Sequence, residues 1–218
     1  MSRSRKHRER ELLRMEELLS RKKVRADSYK LLRDCYYLPN KGLIDRLKGL
    51  DGSASGLAKG IKEIASSSDK LELLEVDFSH LFVGPFKLLA PPYGSLYLEN
   101  TSTVMGNSTI DAKKRYSEEG LEINLKEVPD HIAIELEFMY FLISKELERA
   151  ESGETQESSD YRGKEELFLR DHLARWVGAF ADNIIENAET PFYKKLAYLT
   201  KEFIEEDLKR LSLTEDVD

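Results

Sequence analysis

The residues with the clearest chemical potential stand together in the stretch Glu127-Val128-Pro129-Asp130-His131, with Glu135 and Glu137 close behind. A carboxylate beside an imidazole is material for general acid–base chemistry. Adjacent residues on a helix point about 100° apart, however, so Asp130 and His131 cannot bond to one another as a dyad without a third group. The plainer roles are helix-start stabilisation for Asp130 and a partly buried, hydrogen-bonded ring for His131. Glu135 and Glu137 interrupt an apolar run. A carboxylate there must be exposed along a groove, paired internally or placed to receive a cation, because burying it unpaired is costly.

The other titratable residues add little to an enzyme reading. His7, His80 and His172 pair with neither a cysteine nor a second histidine at ligand spacing, and His131 with Glu135 does not complete an HExxH pattern, so no metal is expected. Gly56-Leu-Ala-Lys-Gly60 places a lysine between glycines but lacks the Gly-Lys-Ser/Thr ending of a phosphate loop, so no nucleotide cofactor is implied. A Gly-x-Ser-x-Gly elbow, a dinucleotide turn and the kinase motifs are all missing from the sequence. Cys35 is the sole cysteine, which rules out an internal disulfide, suits a reducing cytosol and reads as a small apolar helix residue.

The element that must position Asp130 and His131 is the helix behind them. Pro129 marks its entrance; Ile132, Leu136, Met139, Ile143 and Leu147 fall on one face, and Ile134, Phe138, Phe141 and Leu142 widen it. Such a helix belongs inside a bundle with only its start near solvent. Apolar spacing predicts further helices over 9–38, Leu43–Leu50, Leu57–Ala65, a segment through Leu71, Leu74, Phe78, Leu81 and Phe82 capped by Ser67 or Ser68, and 108–119. Two more follow, through Leu169, Leu173, Trp176, Phe180 and Ile184, and through Phe192, Leu196, Leu199 and Phe203 with Thr190 as N-cap and Pro191 at the first helical position. Residues 83–107, rich in proline and glycine and carrying Tyr93, Leu96 and Tyr97, read as a long loop of the kind that is functional or mobile. Residues 121–125 read as extended loop, and 151–163 as a polar surface linker without apolar anchors. The expected architecture is an all-α, single-domain bundle of roughly eight to ten helices.

Charge divides the chain into a basic arm, residues 1–25, and a body, 26–218. The arm holds ten Lys/Arg and four Glu, a net of +6, which leaves −13 on the body. An acidic body repels nucleic acid and attracts cationic ligands, so nucleic acid is not an expected partner except through the arm. A helical adaptor using that arm is the alternative function. No stretch has the uninterrupted apolar length of a membrane span, and the basic N-terminus lacks an apolar h-region and has no adjacent arginines; neither membrane insertion nor export is expected.

Three motifs resemble the TorD-like family of redox-enzyme maturation chaperones, which includes the DmsD and NarJ groups. They are Asp77-Phe78-Ser-His-Leu81-Phe82-Val-Gly84-Pro85 running into Ala90-Pro91-Pro92-Tyr93-Gly-Ser95-Leu-Tyr97; Glu127-x-Pro129-Asp130-His131-Ile-x-x-Glu135-Leu136-x-Phe138-Met139; and Phe168-x-x-Asp171-His172-Leu-x-x-Trp176 followed by Thr190-Pro191-Phe192-Tyr193. The resemblance covers about residues 26–207. Gly94 stands where an acidic residue is common in the family, and the arm extends beyond the usual family start.

The resemblance implies a TorD-like helical bundle acting as a cytoplasmic, system-specific chaperone. Its partner would be the twin-arginine signal peptide, the apo-form, or both, of a molybdopterin-dependent oxidoreductase subunit. It implies a peptide groove lined by Pro129, Asp130 and His131 and by Pro91, Pro92, Tyr93 and Tyr97, and it leaves monomer and domain-swapped dimer both open. Asp130 and Glu135 could meet guanidinium groups bidentately while the apolar leader helix lies in the groove. On this reading Asp130→Ala weakens leader binding with little loss of fold.

Overall fold

The computed structural model describes residues 2–67, 70–84, 88–99, 104–122 and 128–212, with side chains from residue 7 onward. The chain forms α1 (Ser2–Cys35), α2 (Lys41–Lys48), α3 (Gly56–Ser66), α4 (Leu71–Phe78), a one-turn α5 (Ser95–Leu98), α6 (Asn107–Glu118), α7 (Ile132–Glu151), α8 (Thr155–Phe168), α9 (Ala174–Asn187) and α10 (Pro191–Ser212). Two π-helical turns, Ser79–Val83 and Leu169–Leu173, extend α4 and join α8 to α9. Among the described residues there is no sheet, only a single antiparallel bridge between Tyr93 and His131.

Local chemistry sets many of the boundaries. Asn40 and Ser55 cap α2 and α3 by accepting from Leu43 N (2.9 Å) and Ala58 N (3.0 Å). Ser67 does not open the next helix: its N–H bonds back to Glu63 and closes α3, while α4 starts after Lys70 with no side-chain cap. Ser68 lies outside the described residues, as do residues 123–125 of the expected extended loop, Glu127 of the second motif and Pro85 of the first. The first helix ends at Cys35, three residues short of the expected 38.

Helix α7 is the axis of the bundle, packed between α1 and α8, with α9, α10 and α3 completing the core. Leu136, Met139, Leu142 and Ile143 are fully buried, as their spacing requires. The largest departure from expectation is α8, a regular helix where 151–163 reads as linker. Its inner face has helical spacing but polar types: Ser158 and Glu165 are buried, Tyr161 is half-buried, and Phe168 alone is a full apolar anchor. An ionic cluster supplies what apolar residues would have supplied. Arg25 on α1 pairs with Glu165 on α8 and donates through Nε to Asp207 on α10 (2.8 Å), which also accepts from the Tyr29 hydroxyl (2.8 Å).

Candidate functional site

Residues 88–99 form a strap across the entrance of α7. Ala90 N donates to Leu81 O (3.0 Å) and ties the strap to the π turn after α4. Ile132 N donates to Pro92 O and Gly94 N to Asp130 O, both at 2.9 Å, giving the Tyr93–His131 bridge. The Asp130 side chain accepts from Ser95 N (2.7 Å). Asp130 therefore does stabilise a helix start, but that of α5 in the strap rather than that of its own helix. The N-cap of α7 is His131, whose Nδ1 accepts from Ala133 N (3.1 Å), so the neutral ring carries its proton on Nε2. Pro129 is buried two residues outside this cap, not at the first helical position, and its carbonyl accepts from the Tyr116 hydroxyl (2.9 Å).

The His131 ring lies between two tyrosines, stacked on Tyr37 at 6.4 Å and met edge-on by Tyr93 at 5.5 Å. Burial lowers its pKa to about 4 against the opposing pull of the Asp130 charge, so it is an uncharged ring at neutral pH. Leu38, next to Tyr37 in the turn after α1, is 55% exposed. Tyr37 reads in the sequence as part of an apolar stripe; nothing in its spacing shows that it will face His131.

Behind the strap, Glu135 is fully buried. Its Oε2 accepts from Trp176 Nε1 (2.9 Å), and burial holds its carboxyl in the protonated form well above the usual carboxylate range. His172 contacts Asp111 through Nε2 (2.7 Å) and turns Nδ1 toward Glu135 Oε1 at 3.9 Å. That distance exceeds a hydrogen bond, and burial lowers the His172 pKa as well, so this is a contact of two neutral groups rather than an ion pair. The Trp176 ring stacks on Tyr97 (5.5 Å, 25°) and covers Gly94, where a Cβ would stand 2.9 Å from Nε1. Glycine is required there by the indole, not by the backbone, whose φ is −58°.

All eight residues expected at the site are thus brought into one region, on two levels. Tyr93, His131, Pro91 and Tyr97 are half-buried at the rim, and Pro92, Pro129, Asp130 and Glu135 lie beneath, closed to solvent. In this conformation neither carboxylate is open to a guanidinium. Of the two carboxylates that interrupt the apolar run at the start of α7, Glu135 takes the internally paired option and Glu137 the exposed one, bonded to Arg33 on α1 (2.9 Å). Asp77, also buried, accepts from Glu189 N (3.1 Å), Thr190 N (2.8 Å) and the Thr190 hydroxyl (2.6 Å). The three motifs are therefore bonded to one another: the first to the third through Asp77, the first to the second through Asp130, and the second to the third through Glu135 and Trp176. Among the described residues no group of His, Cys, Asp and Glu is arranged to hold a metal. The arrangement is built to present an uncharged aromatic face on a stiff base.

Comparison with known proteins accords with this geometry. Residues 48–182 match the model of the nitrate reductase delta subunit family. A Tat proofreading chaperone DmsD of Salmonella paratyphi A is 31% identical over 132 residues, covering 60% of this chain and 58% of that one. A chaperone protein TorD of Vibrio parahaemolyticus is 26% identical over 162 residues, 73% of this chain and 74% of that one. The crystal structure of a protein described as a redox enzyme maturation protein, from Archaeoglobus fulgidus, superposes with a TM-score of 0.54 at 27% identity over 83% of this chain and 93% of that one. The chain belongs to the nitrate reductase delta subunit family and is similar to the chaperones named TorD and DmsD.

Proposed function

We propose that this protein is a cytoplasmic, system-specific chaperone for a molybdopterin-dependent oxidoreductase subunit, holding its twin-arginine signal peptide, its apo-form or both until the subunit is assembled. The relatives named as chaperones support the class, and no helix of the described residues is long and apolar enough to cross a membrane. The observation that carries the site is the Tyr37–His131–Tyr93 aromatic cluster at the mouth of α7, backed by buried hydrogen bonds. A ring kept neutral between tyrosines offers apolar area with polar tips, which suits a leader's apolar segment. Pro91 and Tyr97 stand on the same strap, Tyr97 turned onto Trp176 and Asn183 of α9, and Pro92, Pro129, Asp130 and Glu135 lie beneath it. The arginine pair would be met by carboxylates at the α1–α7 seam that already hold arginines, half-exposed Glu137 with Arg33 and the more covered Asp34 with Arg33 and Arg46.

Calorimetric titration with twin-arginine leaders of molybdoenzymes from the same organism tests this, alongside leaders with both arginines changed to glutamine. Binding to one leader that depends on the arginines, weakens with salt and falls about tenfold or more in Tyr93→Ala or His131→Ala is expected. Binding that ignores all of these changes would remove the strap from the site.

A further inference from the structure

The first half of α1 carries an apolar face with no partner among the described residues. Leu12, Leu13, Met15 and Leu18 are 65%, 60%, 52% and 47% exposed. Leu12, Met15 and Leu19 precede Lys22, Ala26 and Tyr29 at alternating steps of three and four, so the face that enters the core at Ala26 and Tyr29 continues outward past the edge of the body. Beneath this overhang lies a groove of about 1060 Å³ between α1, α3 and α10, with Leu18, Leu57, Phe203 and Leu211 among its walls. Glu202 and Glu206 line it from α10 and make no ion pair among the described residues; Arg8, Arg10 and Arg14 on the overhang make none either.

We propose that the occupant of this groove is the overhang of a second copy, in a reciprocal two-fold dimer whose axis passes near Met15. Antiparallel placement sets Leu12 and Met15 of each copy against Met15 and Leu18 of the other. It also brings a helix of net positive charge to Glu202 and Glu206 on the partner's α10, in a groove whose own Arg21, Lys22, Arg25 and Arg210 are already bound to carboxylates of their own chain. The dimensions agree. Residues 2–17 span about 24 Å at 1.5 Å per residue, and a cylinder of that length about 10 Å across has a volume of about 1,900 Å³, so a groove of about 1060 Å³ takes in roughly half of the helix and leaves its outer face in solvent. Two such insertions remove roughly 1,600 Å² from solvent, the size of an ordinary stable interface. Nothing in this contact involves the strap, so it stands or falls apart from leader recognition.

Sedimentation equilibrium of the full chain, from low to high micromolar concentration, tests it. The wild type should sediment at twice 25.1 kDa. Leu12→Glu with Met15→Glu should shift it toward the monomer by at least about tenfold in dissociation constant, with far-UV circular dichroism unchanged because both residues are exposed within one chain. Glu202→Lys with Glu206→Lys should weaken the dimer, and adding Arg10→Glu with Arg14→Glu should restore it. Met15→Cys should cross-link to its own copy on mild oxidation, while buried Cys35 stays unreactive. A monomer at every concentration, or a dimer indifferent to Leu12 and Met15, would overturn the proposal.

Discussion

Replacing Glu135 by glutamine probes the buried layer behind the strap. In the folded protein burial keeps this carboxyl protonated, whereas in the unfolded chain it ionises above about 4.5. The folded state therefore binds the extra proton, and the contribution of Glu135 to stability is full below that pH and declines as pH rises. The decline is about 1.4 kcal/mol per pH unit for as long as the two states differ in protonation. Glutamine has no proton to lose. Its amide oxygen can accept the Trp176 indole N–H, and its amide N–H can face the bare Nδ1 of His172, reproducing both contacts of the neutral acid. His131, with its pKa lowered to about 4, works in the opposite direction: stability is lost as pH falls from about 6.5 toward 4, and this happens equally in both proteins. The difference between variant and wild type thus isolates residue 135. Urea unfolding followed by the emission of Trp176, the sole tryptophan, at steps from about pH 5 to about pH 8, should give nearly coincident curves at the acid end. The variant should gain progressively above it. Parallel curves over the whole range, or a variant less stable at every pH, would refute a neutral Glu135.

Three further substitutions follow from the same hydrogen bonds. Asp130→Ala leaves the buried Ser95 N–H without its acceptor and should cost about 2–3 kcal/mol in chemical unfolding. That corrects the expectation of little loss of fold, so an affinity change in this variant has to be read beside its melting curve. Gly94→Ala drives a methyl to 2.9 Å from Trp176 Nε1 and should cost about 1–3 kcal/mol while shifting the indole emission. Arg25→Ala strands Glu165 and Asp207 in the core and should cost about 3–5 kcal/mol, loosening α8 first, as hydrogen exchange along Thr155–Phe168 would show.

The helices legible in the sequence are those whose buried faces are apolar. The period through Ile132, Leu136, Met139 and Ile143 describes α7 well, because hydrophobic spacing and burial there are one signal. The face of α8 obeys the same geometry with Ser158, Tyr161 and Glu165, and a period of polar residues is silent until Arg25, 140 residues away from Glu165, is known to lie opposite. The one turn of α5 is too short for a period and exists through Asp130 and Trp176, both remote in sequence. The candidate site is likewise half visible. Its rim residues announce themselves by type, as prolines and aromatics in a loop. The depth of Asp130 and Glu135, and the pairing of Tyr37 with His131, depend on how α1, α7 and the strap cross.

The π turn at Leu169–Leu173 makes α8 and α9 one continuous helical rod, Thr155 to Asn187, with a single extra residue taken up in the middle. One residue corresponds to about 100° of rotation. The rod therefore has two independently aimed halves: Glu165 faces Arg25 on one side of the turn while Trp176 faces Glu135 and Gly94 on the other. Excising exposed Arg170 would let the ladder relax to an ordinary α-helix and bring the halves back into phase, so that only one of the two could keep its partners. The added residue acts as a gear offset. It lets a single stretch of chain serve both the ionic clamp on α1 and the floor of the strap, and it makes chain length there matter more than residue type.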